Sequence, residues 1–592
     1  MKAFIPPALF SLATLAAAVT ASAADDARAW ITASNAHAQV LVDTLAKTSP
    51  EMAGRLGVPG YDEQIADFTA GANDRTRALL TVSRAELAKR LTVETDPLVR
   101  QDLAILLKSA DDQLASAALT QSLTLPYGDL PQLVFFGEFS LLDDQIDAAR
   151  RPAALIRLRR YTGLAPDTRP ITELAKERYR EKAADAALLA PFKGQVETHA
   201  AAMPRYAAGI RKLYEKFGID KLTGAPEALA ALDAQFKDYG AWLRTTVLPS
   251  ARADFRLPPA LYADNLKNIG LDVPPRDLIA KAQLAYAEIR NEMLVLAPLV
   301  AKERGFADSD YRAVIRALKK EQIAKDQVEP LYREIIGKIE EIIRREKILT
   351  LPGRPMRMRL ASEAENAAQP APHYQPPPLV GAKGEQGVFV LTSASADASG
   401  KTAAFDDFTY KAGAWTLTAH EGRPGHDLQF AAMVERGVSL ARSLFAFNSV
   451  NVEGWALYAE AETKPYLPLD GQLIALQHRL MRAARAYLDP MLNLGLLSRE
   501  RAFEILTREV CLSEGMATQE VERYTFRAPG QATAYFYGYT RLMQLRTETE
   551  IALGAAFDRQ TFNDFVVNQG MLPPDLLAAA VREQFVPAQR KK

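Results

Sequence analysis

A histidine placed six residues after another constrains this chain more than any other spacing in it. In His420-Glu421-Gly422-Arg423-Pro424-Gly425-His426 two metal-grade ligands flank a carboxylate, a combination no other seven residues offer. Histidines four apart on a helix stand about 40° apart around the axis and about 6 Å along it, which suits one ion. Six apart, they differ by about 240° and 9 Å and point away from each other. A regular helix therefore cannot bring both to one metal. Gly422 and Gly425 permit unusual backbone angles, and Pro424 removes an NH donor and collides with the preceding turn. The spacing predicts a bulged or kinked helix that swings His426 back toward His420. It predicts a zinc site, with Glu421 beside it as general base for a zinc-activated water. Two packed, hydrogen-bonded histidines on an apolar surface are the plain alternative. If either glycine has a positive φ, a β-branched side chain there is strained and displaces a ligand. Arg423, whose neighbours bend the chain, is expected to be free to point outward.

HEGRPGHDLQF resembles the HEGxPGH signature of the bacterial domain of unknown function 885 family, which belongs with the gluzincin-like metallopeptidases. The resemblance implies a mainly α-helical zinc hydrolase with a deep central cleft and a small β element beside the active-site helix. It also implies a third ligand, a glutamate on a following helix. Asn451-Val452-Glu453-Gly454-Trp455-Ala456-Leu457-Tyr458-Ala459-Glu460 is similar to the family's EGWALYAE, which makes Glu453 that ligand. Glu460 lies seven residues further, nearly two turns, so both carboxylates share a face. It is a candidate to accept a bond from the free nitrogen of a ligand histidine. A solvated or structurally paired glutamate is the alternative. Many gluzincins carry an aspartate four residues after the third ligand, where this chain has Leu457.

Arg482-Ala483-Ala484-Arg485 through Asp489 resembles the family's arginine-paired helix, but Asn493 stands where relatives are expected to carry histidine. If that histidine steadies a developing oxyanion, Asn493 must do so as a neutral amide, or the duty falls elsewhere. Glu522-Arg523-Tyr524, then Pro529-Gly530-Gln531-Ala532, Tyr535 and Gly538, complete the family-like stretches. Tyr535 is the first candidate, because a phenol donates to an oxyanion while remaining neutral at pH 7. Arg523 could hold a substrate carboxylate or buttress the site. Against this, Tyr535, Tyr537 and Tyr539 also read as a packed aromatic helix face. His37, His199, His373 and His478 lack a partner pattern and read as structural or surface residues.

The amino end reads as a secretory signal peptide over residues 1–23: Met1-Lys2, an apolar run to Val19, then Ala21-Ser22-Ala23 before Ala24-Asp25-Asp26. Periplasmic or secreted residence follows, with no membrane anchor expected in the mature chain. No cysteine follows the cleavage site, so lipid attachment there is unsupported. Lys+Arg equals Asp+Glu at 72 each, which lacks the basic footprint of a phosphate binder, so no nucleic-acid partner is expected. The lone Cys511 rules out an internal disulfide and reads as a small buried helix residue.

From residue 24 to 350 the chain reads as successive amphipathic helices. Ile335, Ile336, Ile339, Ile342 and Ile343 form an apolar stripe, with Glu334–Lys338 and Glu341–Arg345 as opposite charges four apart. Seven prolines between 351 and 384 exclude regular helix, making this the expected linker to a zinc-binding catalytic region, 385–592, the two halves packing as one body. Gly387 to Thr392 reads as a strand. The resemblance implies an edge that pairs with extended substrate, and a structural edge strand is the alternative. The expected protein is an exported hydrolase of peptide bonds with one zinc per chain. A non-catalytic periplasmic peptide-binding protein, or a zinc hydrolase of other amides or esters, fits the same residues.

Overall fold

The computed structural model describes residues 29–362, 365, 371–381, 384–392, 395–396, 402–403 and 406–591. The expected signal peptide lies outside them, as does part of the proline-rich segment. The fold is mainly α. Strands β1 (Met358–Leu360), β2 (His373–Gln375) and β3 (Val388–Leu391) form one small sheet, and β4 (Ser395–Ala396) pairs with β5 (Thr402–Ala403). No described helix is long and apolar enough to cross a membrane.

Helical periodicity places the core. On Val328–Arg345, Tyr332, Ile335, Ile339, Ile342 and Ile343 are buried, a stripe at spacings of three and four, and Ile336 lies at its rim. Glu334 pairs with Lys338 on the outer face as the spacing predicts, whereas Arg345 turns to Glu346 rather than Glu341. Helices Pro275–Arg304, Tyr311–Lys319 and Val328–Arg345 share one hydrophobic core with the helices that carry the motif, running from Tyr262 to Val586. A second core spans Leu125 to Val247. A third joins Ala38, Leu87 and Leu103 to Ala441. The segment 351–384 thus does not divide the core: helices on either side of it pack together, and the third core ties the first helices to the same body. The prolines exclude helix, but packing decides where a body ends.

Five helices build the candidate site: α1 (Lys411–Glu421), α2 (His426–Glu435), α3 (Ser449–Thr463), α4 (Leu469–Asn493) and α5 (Ala534–Leu553). Asn448 caps α3 by accepting from the Asn451 amide at 2.8 Å. Buried on nearly every side, α4 runs through the middle of the core. Helices α3 and α5 cross at two glycines. A Cβ on Gly538 would stand 1.9 Å from the Val450 carbonyl oxygen, and one on Gly454 would stand 2.5 Å from the Gly538 carbonyl carbon. No side chain fits between them, so Glu453, next to one glycine, and Tyr535, one turn before the other, are brought to the same place.

The strand expected over 387–392 forms as β3, but not as an edge. It pairs in parallel with β1 on one side and antiparallel with β2 on the other, and all four residues are buried. Its backbone is committed to the sheet and has nothing left to offer an extended peptide. β-forming residues reveal a strand, while its neighbours depend on where the rest of the chain returns.

Candidate metal centre

The expected bulge is a complete break. Helix α1 ends at Glu421 and α2 restarts at His426. Between them the Arg423–Pro424 peptide is cis, and the Trp455 indole donates to the Pro424 and Gly425 carbonyls at 3.0 and 3.3 Å. Neither glycine has a positive φ: Gly422 lies at −97° and Gly425 at −74°. Both nevertheless have ψ outside the α and β regions, at −123° and −129°, and glycine also supplies room here. A Cβ on Gly425 would sit 1.9 Å from the His420 carbonyl oxygen and 2.4 Å from that of Ala419, and one on Gly422 would meet the Thr418 carbonyl at 2.6 Å. The turn therefore folds back onto the last turn of α1, and the two imidazoles come to 5.0 Å between ring centres at 81°.

His420 Nε2 and His426 Nε2 both face Glu453 Oε2, at 3.7 and 3.6 Å. One donor atom from each residue lies within 4.8 Å of the other two. These separations are too long for hydrogen bonds. They are close to the roughly 3.3 Å edge of a tetrahedron drawn with zinc ligand distances of about 2.0–2.1 Å. The donor set, two imidazoles and one carboxylate, also suits zinc with a position left open. Glu421, whose Oε1 stands 4.0 Å from His420 Nε2, makes no hydrogen bond among the described residues, although it is only 7 % exposed.

Charge at the cluster is held by its surroundings. The Glu460 carboxylate receives His420 Nδ1 at 2.7 Å and the Thr416 hydroxyl at 2.6 Å, with Arg482 at 3.3 Å. That bond leaves His420 Nε2 to face Glu453 and fixes the ring. Burial opposes ionisation of Glu460, yet Arg482 and His420 bring it down to about 2. Burial likewise disfavours a charged His420, but Glu453 and Glu460 outweigh it and push the imidazole up to about 9. Glu453 is held well below the usual carboxylate range by the two histidines against the effect of burial, whereas burial pushes Glu421 up.

Tyr535 lies where it was expected. Its ring stacks on His420 at 6.2 Å and 17°, and its oxygen accepts from Arg523 at 2.9 Å, leaving its own proton free to donate. Burial raises its pKa, so the phenol stays neutral. Arg523 is in place as its partner. Asn493 is not brought to this cluster. Its amide nitrogen donates to Asp489 and to the Tyr524 carbonyl at 3.0–3.1 Å, so no donor remains for an oxyanion. Three turns of α4 separate it from Arg482, and spacing alone did not reveal that its side chain serves the far end of the helix.

Arg423 also differs from expectation. It is 2 % exposed, and its guanidinium donates to Asp427 at 2.8 Å, Glu340 at 2.6 Å and the Arg354 carbonyl at 3.0 Å. It clamps the turn from beneath instead of pointing outward. Two more groups stand at the site: Tyr374 of β2, whose ring lies 6.4 Å from that of His426 and which gave no sequence signal, and the Arg485–Glu520 pair behind Tyr535. For the second, a pair of arginines three apart on α4 was the available hint.

His37, His199 and His373 have local partners away from the cluster. His478 is buried beneath Glu460, and burial with Arg482 beside it brings its pKa down to about 3. Cys511 is buried as expected but lies in the connection after a helix, with φ 62°.

A family model described as a bacterial protein of unknown function (DUF885) matches residues 50–581. No curated protein matches the chain. Among solved structures, one described as "the putative lipoprotein from Colwellia psychrerythraea" aligns with a TM-score of 0.74 and 19 % identity, over 94 % of this chain and 99 % of that one. A second, of "a putative lipoprotein of unknown function from Shewanella oneidensis", aligns with a TM-score of 0.70 and 19 % identity, over 93 % and 99 %. At that identity the likeness concerns the fold.

Proposed function

We propose, from the premise that the chain belongs to the DUF885 family of bacterial proteins, that it is an exported zinc-dependent hydrolase of peptide bonds. The observation that carries this reading is the convergence of His420 Nε2, His426 Nε2 and Glu453 Oε2 beside a carboxylate, Glu421, that bonds to nothing else described. Two structural histidines would be satisfied by neighbours, yet His426 Nε2 faces only Glu453, at 3.6 Å, too far for a hydrogen bond. Both ring nitrogens of His420 turn toward carboxylates.

Zinc held by the two histidines and Glu453 would supply a Lewis acid for water and for the scissile carbonyl. Glu421 accepts the proton of the attacking water on its carboxylate and delivers it to the departing nitrogen. Tyr535 donates its phenolic proton toward the carbonyl oxygen as charge builds there, and Arg523, bonded to the same phenol, strengthens that donation. Glu460 keeps the His420 tautomer fixed. The non-catalytic reading drew its support from Asn493, whose amide is committed to Asp489 and the Tyr524 carbonyl, away from the cluster.

Metal analysis with turnover of a mixed peptide library tests the proposal. About one zinc per chain is expected, lost in the His420→Ala, His426→Ala double variant. Full occupancy surviving in that variant would mean the site is elsewhere. Turnover of esters or other amides, with peptides untouched, would replace the substrate class and keep the metal. Glu460→Gln should weaken zinc binding by roughly 10- to 100-fold, read by chelator competition, because the ligand ring loses its orienting carboxylate. Unchanged affinity would reduce Glu460 to a packing role.

A further inference from the structure

Resting on the peptidase reading and sharpening it, we propose that Arg523 anchors the free carboxylate of the substrate, so that the protein cleaves close to the C-terminal end of short peptides. Three guanidinium groups surround the Tyr535 ring: Arg485 at 4.6 Å, Arg523 at 5.3 Å and Arg482 at 5.8 Å from its centre. Two of them have carboxylates of their own. Arg485 binds both oxygens of Glu520 at 2.7 Å, and Arg482 lies 3.3 Å from Glu460.

Arg523 does not. It reaches Glu520 only at 3.5 Å, and that carboxylate is already engaged by Arg485 and by the Tyr524 hydroxyl at 2.6 Å. Its other described contacts, Gln531 and Tyr535, are neutral. The nearby Asp489 is engaged elsewhere, receiving the Gly530 amide at 2.9 Å, the Tyr262 hydroxyl at 3.0 Å and the Asn493 amide at 3.1 Å.

Exposure separates the three in the same way. The side chain of Arg523 is 23 % exposed, against 5 % for both Arg482 and Arg485. An arginine that shares its one described carboxylate with a second, closer arginine, at the more exposed edge of an otherwise buried ionic cluster, is built to receive an anion. Its planar fork fits a carboxylate with two parallel bonds.

Distance sets which carboxylate. Tyr535 stands between Arg523 and His420, its ring 6.2 Å from that of His420. The guanidinium is therefore within about 12 Å of the ligand imidazole, and an extended peptide advances about 3.3–3.6 Å per residue. A terminal carboxylate on Arg523 places the bond over the metal cluster about one to three residues from the C-terminus.

The test uses a mixed tripeptide library made once as free acids and once as C-terminal amides. Zinc-loaded Glu421→Gln protein, in which bound peptide is not consumed, is equilibrated with each library, and bound peptide is counted by mass spectrometry. Free acids should bind roughly 10- to 100-fold more tightly than amides, the worth of one charge-assisted pair. Adding Arg523→Gln should bring the ratio close to one, and Arg523→Lys, which keeps the charge, should retain part of it. Wild-type turnover should show the same preference, a comparison that needs no substitution at Arg523.

Equal binding of acids and amides would overturn the role of Arg523 while leaving the hydrolase reading standing. Preference for acids with no turnover of any peptide would leave the carboxylate site and remove the hydrolase. Binding of neither library would overturn this inference.

Discussion

Replacing Glu421 by glutamine is expected to leave zinc and fold in place and to reduce peptide turnover by about 10²- to 10⁴-fold. The size follows from what the side chain does in the protein. Glu421 bonds to nothing else described, so an amide of the same shape disturbs no neighbour. Glutamine cannot accept a proton at pH 7, and the contribution lost is that of general base catalysis, about 3–5 kcal/mol of barrier. Metal content, the circular dichroism spectrum and kcat/KM on one preparation form the measurement. Zinc within twofold of wild type with unimpaired turnover would remove Glu421 from the chemistry.

Gly425→Ala is the second large effect, and it falls on the metal. The added methyl would lie 1.9 Å from one carbonyl oxygen and 2.4 Å from another, both backbone atoms of α1 that no rotamer change can move. Either α2 shifts outward or the end of α1 unwinds. Both displace an imidazole by far more than the roughly 0.2 Å that zinc ligands tolerate, so a loss of at least about 10²-fold in zinc affinity is expected. Valine should be worse. Gly422→Ala should cost less, since one of its neighbours is the end of the flexible Met356 side chain. Zinc binding as tight as wild type in Gly425→Ala would mean that the close turn is unnecessary for the ligand geometry.

The convergence of His420, His426 and Glu453 was legible in the sequence because most of its information is local. His420, Glu421 and His426 lie within seven residues, and their awkward offset required a departure from α geometry that glycine and proline permit. Glu453 and Glu460 followed from one helical repeat and a family likeness. The unusual backbone angles expected of the glycines are there, with ψ of −123° and −129°, but the carbonyl of α1 behind Gly425 is a further constraint that no local pattern discloses. Arg423 failed for the same reason, since its partners Glu340 and Arg354 are some 70 to 80 residues away. Strand β3 was visible from its composition, but its central place depended on where β1 and β2 return. The mainly helical fold was clear from periodicity, and the prolines at 351–384 mark irregular backbone without marking the limit of a core, since helices before and after them share one.

That last point decides how the chain can be taken apart. The segment richest in proline looks like a hinge at which a C-terminal fragment could be detached with its histidines. Such a fragment would leave behind the helix 328–345, and with it Glu340, one of the groups that hold Arg423 under the metal-binding turn. It would also strip helix 275–304 from α4 and expose that side of the central helix to water. A cut near residue 255 fails as well, because Ala38, Leu87 and Leu103 pack with Ala441 and Asp102 receives the buried Arg442 guanidinium at 2.8 Å. The seven-residue motif is portable only as text; the body that closes around it draws helices from both ends of the chain.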